Sequence, residues 1–541
     1  AAGGKLALPW HAGRLVDPAR CEPAECVLGM DWTTQALAGV VHGGPLAASL
    51  RVPSVDDRLV ASTDQGWGAL GAALWWRTPG RPPVPSLRLS SRPRAELRFD
   101  SVAGRPADWT DGARLLRIGL PKRLPEAYRD AAIYKIFCDS PGAGQFTTFA
   151  QAAELVRHLA ALTDNSPQVA YLVGWQHHGH DTGYPDVFTV NERLGGLAGL
   201  RAAVADAAKC NAVLSFHDNY DDAYRESPAW DPAIIARDIA GEPLKGGVWA
   251  GGQSYIMSFG PNATKRAVER VRRTLDSYPI RVSYHIDVLS AVPRRLDYNP
   301  EQPSGGELSL AGKVAIVKAF NARGVDVTSE GFCEPFVGVL GHAWHLMRGR
   351  DPLFSAEERI PFTPYVYHGL ASWGGGVGGD DDFRDALLYG ATFSADFNHR
   401  TPLTHILDRI YLVQQPFRLL RGRETTGYTT SEGKRRLDYG RGSYVEVDDT
   451  ANRWQVVVDG RPMARDYACF VPSASGRGWL AYARAAGQVV WPAPPGCADG
   501  RPLTAVELTA DGPGAAVSVT PRGGQVTLEL KAGVPLLVRT K

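Results

Sequence analysis

Two short apolar runs, each ending in one carboxylate, constrain the fold of this chain most strongly. The first, YHIDVL at 284–289, and the second, VTSEG at 327–331, have the β-branched and apolar residues that predict strands. The segment 309–324 between them has the apolar spacing of an amphipathic helix and ends in glycine. This strand–helix–strand unit predicts a parallel barrel, with Asp287 and Glu330 at the strand ends where barrels carry their chemistry.

Two carboxyl groups that converge on one site suit the cleavage of a glycosidic bond. The reaction needs an acid that protonates the leaving oxygen and an ionised partner that supports an oxocarbenium-like centre. Asp287 is short and lies in an apolar strand, as suits a nucleophile, whereas burial near Phe332 would raise the pKa of Glu330, as an acid/base needs. The same positions also suit structural ion pairs or caps, and Glu334 competes with Glu330 for the acid role.

The rhythm of the whole chain predicts three parts. Short apolar runs separated by glycine and proline clusters predict an N-terminal β-sandwich-like domain at residues 1–127. Alternating strands and helices predict a catalytic (β/α)8-like barrel at 128–424. The β pattern then returns and predicts a C-terminal β-sandwich at 425–541. The expected fold class is therefore α/β, a TIM-like barrel flanked by two β-sandwich domains.

Apolar periodicity also predicts individual elements of the barrel region. The predicted strands are 133–138, 169–174, 213–217, 284–289, 327–331 and 360–366. The predicted helices are 149–162, 197–209, 263–278, 309–324, 336–347, 382–397 and 406–420. The irregular stretch 218–260, which carries Trp230, Trp249 and Tyr255, predicts an extended loop over the barrel mouth.

The densest polar cluster follows the second predicted strand, in the segment 174–186. Glycine and proline disfavour a helix there, so its polar side chains are expected on a shaped loop at the end of the strand. Polar groups at successive strand ends converge in a barrel, and a second group follows the third strand. The predicted substrate-binding residues are Trp175, Gln176, His180, Asp181, His217, Asp218, Tyr284 and Trp373.

Two of these tryptophans have specific expected roles. Trp175 is expected to offer a flat stacking face to a sugar. Trp373 lies on a glycine-rich loop at 372–379, which suits a pocket wall or a lid. A loop tryptophan that packs on its own scaffold fits the pattern of Trp373 equally well.

Three stretches carry a resemblance to a known group of proteins. GWQHHGHDTGYPD at 174–186, the strand ending HID at 285–287 and TSEG at 328–331 resemble glycoside hydrolase families 101 and 129. These families contain endo- and exo-acting α-N-acetylgalactosaminidases that act on mucin-type O-glycans. The resemblance covers mainly residues 130–420, and the size of the chain is closer to that of family 129.

The resemblance implies a function and roles for particular residues. It implies a retaining α-glycosidase, with a terminal α-N-acetylgalactosaminide as the first expected substrate. Asp287 would be the nucleophile, Glu330 the acid/base, and the loop 175–181 part of the sugar pocket. Another α-linked hexose, hexosamine or pentose is compatible with the same motifs.

Two functions of other classes fit the same sequence. His178, His180 and Asp181 have the composition of a metal site, which would suit a metal-dependent deacetylase or amidohydrolase. The clear third and fourth ligands of such a site are missing from the pattern. A barrel that binds carbohydrate without turnover is the other alternative. The favoured function needs no cofactor and no metal ligand, although a structural calcium ion is compatible with it.

The composition limits the classes of binding partner to be expected. A formal net charge of +2 gives no field of the size that nucleic acid or membrane binding requires. Fourteen tryptophans suit the flat faces of sugars, so a carbohydrate is the expected partner. Seven scattered cysteines leave two disulfides open, Cys21 with Cys26 and Cys469 with Cys497. The first residues show no signal-peptide pattern, and the sequence leaves a secreted or cytoplasmic location and the oligomeric state open.

Overall fold

A nearly closed barrel of eight parallel strands occupies the centre of the computed structural model, which describes residues 4–64, 67–74, 94–375, 380–497 and 500–540. The last barrel strand pairs with the first, and an isolated bridge between Ala343 and Trp373 joins the sixth to the seventh. The barrel strands are β1 (Ala132–Phe137), β2 (Gln168–Val173), β3 (Ala212–Asn219), β4 (Ser283–Asp287), β5 (Asp326–Gly331), β6 (His342–His345), β7 (Gly374–Gly375) and β8 (Thr392–Phe397).

Helices lie in most of the connections between the barrel strands. The helix after β1 begins with a capping box, in which Thr148 and Gln151 each accept a hydrogen bond from the backbone N–H of the other. The helix between β4 and β5 is followed by Gly324, whose φ of 74° suits the end of a helix. The helices of this region are Phe149–Leu162, Gly196–Lys209, Pro261–Ser277, Gly306–Asn321, Phe362–Tyr367, Asp380–Leu388 and Leu403–Arg409, the last continued by the π-helix Ile410–Gln414 and by Gln415–Phe417.

Antiparallel sheets precede the barrel in the chain. The edge strand Glu357–Arg359 of the larger sheet comes from the connection between β6 and β7, and its Glu357 accepts a hydrogen bond from the buried Arg14 at 2.7 Å. This sheet has the order Glu357–Arg359, Arg14–Val16, Lys5–Leu8, Ala38–Gly43, Leu46–Arg51 and Glu96–Ser101. A second sheet contains Ala24–Leu28, Asp57–Asp64 and Trp67–Leu74, and the helix Trp109–Arg117 follows.

A ten-stranded antiparallel sheet follows the barrel in the chain. Its order is Gly427–Ser431, Lys434–Asp438, Tyr444–Asp448, Arg453–Val458, Arg461–Arg465, Ala468–Pro472, Trp479–Ala483, Leu536–Thr540, Leu503–Thr509 and Gly512–Val519. Gly487–Pro492 pairs separately with Gln525–Leu530. Over the barrel mouth, the long connection after β3 forms a small sheet of Asp222–Ala223, Lys245–Trp249 and Gly252–Ile256.

The base of the barrel, where the strands begin, is closed by packed rings and paired polar groups. Tyr171 and Trp344 lie in one buried cluster with Tyr128, which precedes β1. The hydroxyls of Tyr128 and Tyr171 both lie 2.6 Å from Ser283 Oγ. Since these polar groups satisfy one another, the base forms a stable floor beneath the mouth.

Most predicted elements of the barrel region are present, and three predictions are wrong. The predicted helix 336–347 contains β6, because its apolar run fits both helical and strand periods. The predicted strand 360–366 forms the helix Phe362–Tyr367, which accommodates Pro364 in its first turn. The predicted helix 382–397 ends at Leu388, and β8 follows. Of the glycine-rich loop 372–379, residues 376–379 lie outside the described residues.

Two further findings bear on the expectations from composition. All seven cysteines are free thiols, so neither disulfide left open by the sequence is formed. Among the described residues, the helices are too short or too polar to cross a membrane.

Candidate active site

Asp287 and Glu330 end two adjacent strands at the barrel mouth. β4 and β5 run parallel, and Ile286 lies opposite Ser329, so the two carboxylates follow side by side. Both line a pocket of about 460 Å³, together with Asp181 and Asp222. The sequence therefore brings these carboxylates together through strand register, although they are 43 positions apart.

The surroundings of Glu330 stabilise its protonated form. Burial, and then the neighbouring charge and hydrogen bond of Asp287, raise the pKa of Glu330 to about 7. Lys135 on β1 opposes this shift, with its Nζ 3.8 Å from Glu330 Oε1. Because two adjacent carboxyls resist ionising together, the pair favours a proton on Glu330.

The other side of Asp287 faces a stack of neutral imidazoles. His217 Nε2 lies 3.4 Å from Asp287 Oδ1. His217 stacks on His285, with ring centroids 5.1 Å apart, and His285 Nδ1 lies 2.8 Å from Thr328 Oγ1. Burial, followed by the charge of Lys135, holds the pKa of both histidines well below the usual value. His217 therefore contacts Asp287 as a neutral imidazole and adds no positive charge beside that carboxyl group.

The loop after β2 places His180 and Asp181 in the same cluster. Gly174 has a φ of 71°, and a Cβ there would lie 1.9 Å from Asp139 O, so this loop requires glycine at its start. His180 Nε2 lies 3.4 Å from Asp181 Oδ2. Burial, and then the charge of Asp287, raise the pKa of Asp181 to about 7. Asp181 is thus suited to donate a hydrogen bond near neutral pH.

Trp175, predicted to stack on a sugar, and Trp373, predicted as a pocket wall or lid, are both buried and do not line the pocket, so these two expectations are corrected. For Trp373, packing on its own scaffold was the equal alternative. Trp175 has no exposed surface and donates its indole N–H to the carbonyl of His217 at 2.8 Å. Trp373 is also fully buried and donates to the carbonyl of Tyr389 at 2.9 Å. Both rings support the scaffold, because each indole N–H finds its partner inside the protein. Gln176 is likewise fully buried.

Asp218 and Tyr284 face away from the barrel axis, and their predicted substrate contact is also corrected. Strand residues alternate between the two faces, so the neighbours of His217 and His285 point toward the outer helices. Tyr284 donates its hydroxyl to Asp218 at 2.9 Å, and Asp218 forms an ion pair with Arg270 of the helix Pro261–Ser277.

Several residues at the mouth escaped the sequence analysis. Lys135 and Asp396, near the ends of β1 and β8, interact electrostatically with Glu330. A lone charge inside an apolar strand could have revealed Lys135. Trp32 also escaped the sequence analysis and lines the pocket from the N-terminal region, whereas Trp249 lines the pocket from the connection that was predicted to lie over the mouth. Trp32 could not be found from sequence, because no local pattern relates it to the barrel.

The metal site considered from the sequence is not assembled. His178 is exposed, while the neighbouring His177 lies 2.7 Å from Asp186. A different group, His180, Asp181 and Asp287, has side-chain N and O atoms that all lie within 4.8 Å of one another. These groups have the chemistry to hold a cation, and Asp287 is shared between that use and the carboxylate pair.

Comparison with known proteins agrees with the motifs of the sequence. The model of glycoside hydrolase family 101, endo-α-N-acetylgalactosaminidase, matches residues 141–290. A protein of Renibacterium salmoninarum, provisionally named an endo-α-N-acetylgalactosaminidase, is 28% identical over 193 residues, which are 35% of this chain and 12% of that protein. The chain therefore spans only a small part of the length of this curated relative.

Solved structures give a similarity of fold over most of the chain. α-N-Acetylgalactosaminidase NagBb from Bifidobacterium bifidum has a TM-score of 0.70 and 18% identity, over 85% of this chain and 80% of that chain. The α-galactosidase AgaA from Geobacillus stearothermophilus has a TM-score of 0.52 and 11% identity, over 99% and 75% of the two chains.

In sequence and in fold the chain is similar to enzymes of the glycoside hydrolase class. Within that class the chain is similar to α-N-acetylgalactosaminidases, and the resemblance inferred from its motifs is confirmed.

Proposed function

We propose that this protein removes a terminal α-linked N-acetylgalactosamine from O-glycans by a retaining, double-displacement mechanism. The observation that carries the proposal is the pair of Asp287 and Glu330, which share a hydrogen bond and line one pocket. The sugar is taken from the names of the similar proteins, and a carbohydrate is accordingly the expected partner. We further propose a (β/α)8-like catalytic domain at 128–424 between β-sandwich domains at 1–127 and 425–541.

The first step would form a covalent intermediate on Asp287. Its carboxylate attacks the anomeric carbon, the glycosidic C–O bond breaks, and Glu330 gives its proton to the leaving oxygen. The raised pKa of Glu330, caused by burial and by Asp287, keeps that proton available near neutral pH. His217 holds Asp287 from the side opposite Glu330, so the attacking oxygen is oriented without loss of its charge.

The second step would release the sugar. Glu330, now ionised, takes a proton from water while the water oxygen attacks the anomeric carbon and the bond to Asp287 breaks. Two displacements restore the starting configuration. Asp181 lies at the same mouth, and its pKa is raised, so it can donate a hydrogen bond to a sugar hydroxyl or accept one from it. The two displacement steps do not depend on which hydroxyl this is. These steps need no cofactor.

The proposal is tested by hydrolysis of an aryl α-N-acetylgalactosaminide by wild type, Asp287→Asn and Glu330→Gln. We expect Asp287→Asn to be inactive, because the first step is lost. Glu330→Gln should still release the activated aryl group and then stall, and added azide should accelerate its turnover and yield the α-glycosyl azide. Wild-type rates in both variants would show that the proposal is wrong.

A matched control separates Glu330 from its sequence rival. Glu334 is partly buried in an ion pair with Arg51 at 2.8 Å and does not line the pocket. Glu334→Gln is therefore expected to keep azide-independent activity in each folded molecule. Azide rescue of Glu334→Gln in place of Glu330→Gln would reassign the acid/base. An aryl α-galactoside as second substrate tests whether the acetamido group is required.

A further inference from the structure

The chain makes a strained turn directly after Asp287. Val288 has a φ of 58°, a left-handed conformation that β-branched residues avoid. The N–H of Leu289 donates to the carbonyl of Asp287 at 2.6 Å, which closes a three-residue turn centred on Val288. Val288 also lines the pocket beside Asp287. Such a conformation persists only where surrounding groups hold it.

The same turn packs against the strand that carries Glu330. The N–H of Ser290 donates to Ser329 Oγ at 3.1 Å. A Cβ added to Gly331 would lie 2.9 Å from the Cα of Ala291, so glycine permits this close approach. The turn therefore touches both chain neighbours of Glu330, and a shift of the turn would move Asp287 relative to Glu330.

Lys313, from the helix between β4 and β5, holds this turn from behind. Its buried ammonium donates to the carbonyls of Leu289 at 3.2 Å and Val292 at 2.8 Å. It also donates to Asp221 Oδ2 at 3.0 Å, and Arg295 Nε donates to the other oxygen of Asp221 at 2.8 Å. All three ammonium donors are thus used, and they tie the turn to the connection after β3.

Stability alone is a weak reason for this arrangement. A buried charged network stabilises a fold no better, as a rule, than apolar side chains of the same volume. Burial lowers the pKa of Lys313 to about 8, although Asp221 opposes the shift. Keeping the ammonium charged at this site therefore costs folding free energy. Of the two carbonyls that Lys313 binds, that of Leu289 belongs to the strained turn and that of Val292 to the residues directly after it. This segment lies between the two carboxylate-bearing strands.

We propose that Lys313 is a positioning residue that clamps the Val288 turn and so fixes the separation of Asp287 and Glu330. The inference rests on the proposed function of these two carboxylates and adds a residue that does not line the pocket. Lys313 makes no contact with substrate in this proposal. It acts through the backbone that follows the nucleophile.

The test measures kcat, KM and their pH dependence on an aryl α-N-acetylgalactosaminide for Lys313→Met. We expect kcat to fall on the order of 100-fold while KM changes less than about threefold, because the reacting groups lose alignment. The upper pH limit of kcat should move to lower pH as Asp287 separates from Glu330. Lys318→Met is the control, because Lys318 is exposed on the same helix.

Relief of strain gives a second, independent readout. In the Lys313→Met background, Val288→Gly should restore kcat by about tenfold, since glycine keeps a positive φ without a clamp. Val288→Ala removes nearly the same side chain from the pocket and keeps the strain. It should restore little.

Several results would overturn the inference. Lys313→Met with wild-type kcat, KM and pH limit would do so, as would equal recovery by Val288→Ala and Val288→Gly. If Lys313→Met fails to fold, Asp221→Asn/Lys313→Met takes its place, because it also removes the buried carboxylate charge that would have lost one of its two cationic partners. If neither folds, Lys313 serves the fold and the proposal is wrong. Failure of the proposed function can be distinguished from failure of this inference. It would appear as equal activity of wild type and Asp287→Asn, and both of these proteins keep Lys313.

Discussion

The two ends of the barrel treat their buried polar groups in opposite ways. At the base, Tyr128 and Tyr171 share the hydroxyl of Ser283 at 2.6 Å each. At the mouth, carboxylates crowd together, and burial with the charge of Asp287 raises the pKa values of Asp181 and Glu330 to about 7. Paired polar groups stabilise a fold, whereas crowded carboxyls in a pocket cost stability and are typical of a site for binding or chemistry.

The same contrast holds across one strand. Asp218 and His217 are neighbours on β3, but Asp218 faces the outer helices, where Arg270 and Tyr284 neutralise and hydrogen-bond it. His217 faces Asp287 inside the mouth. One position along a strand therefore separates a structural carboxylate from the candidate site.

The largest effects on activity and stability are expected when an aspartate is replaced by asparagine, at Asp287 in the candidate site and at Asp218 in its structural ion pair. Asp287→Asn should lower kcat by about 10⁴-fold or more, because the nucleophile is lost. Asp218→Asn leaves the partly buried Arg270 without its ion-pair partner, so it should lower the free energy of unfolding by about 3 kcal/mol. Urea unfolding and kcat per folded molecule measure both effects. If Asp218→Asn folds with normal stability but is inactive, Asp218 does not have the purely structural role that this comparison assigns to it.

The pH dependence of stability sharpens the contrast at Glu330. Burial, and then Asp287, raise the pKa of Glu330 from 4.5 to about 7, while Lys135 opposes the shift and Asp396 and His345 lie within electrostatic range. Between these values the folded protein keeps a proton that the unfolded chain releases. The stability contributed by Glu330 is therefore complete below about pH 4.5 and is lost as pH rises through about 7.

Glu330→Gln removes this loss of stability. Its free energy of unfolding relative to wild type should be higher at pH 8 than at pH 5 by roughly 2–3 kcal/mol. Urea unfolding at the two pH values measures the difference, and Glu25→Gln at an exposed position gives the background. Equal effects at both pH values would mean that Glu330 keeps an ordinary pKa.

At the base, removal of one hydroxyl should affect stability alone. Ser283→Ala takes the shared partner from Tyr128 and Tyr171, whose buried hydroxyls then lose a hydrogen bond. We expect the free energy of unfolding to fall by about 1–3 kcal/mol. The kcat of the folded variant should stay within about twofold of wild type, because Ser283 lies at the opposite end of β4 from Asp287. A larger loss of kcat would show that the two ends are coupled.

The smallest effect is expected at His178. Its side chain is exposed, so His178→Ala should change the free energy of unfolding by less than about 0.5 kcal/mol and leave kcat unchanged. His180→Ala is the matched variant at the site, and it should lower kcat/KM by about tenfold or more, because the pocket residue Asp181 loses its contact with the imidazole. Loss of activity in His178→Ala together with loss on chelation would favour the metal-dependent alternative.

The sequence predicted the strands that have their own signal. β1 to β5 each form a distinct apolar run, so their positions, and with them Asp287 and Glu330, could be found. β6 to β8 are short or lie next to helical patterns, and only the closed circle of hydrogen bonds defines them. Sequence position also could not decide which face of a strand a residue occupies, and for that reason Asp218 and Tyr284 were assigned to the pocket.

The edge strand Glu357–Arg359 has a consequence for synthesis on the ribosome. It completes a sheet that begins near residue 5, and its partner Arg14 precedes Glu357 by 343 positions. At a synthesis rate of about 5–20 residues per second, the edge of Arg14–Val16 stays unpaired for roughly tens of seconds before Glu357–Arg359 is made. An open strand edge is a template for wrong pairing. The nascent chain thus carries this open edge until Glu357–Arg359 has been made.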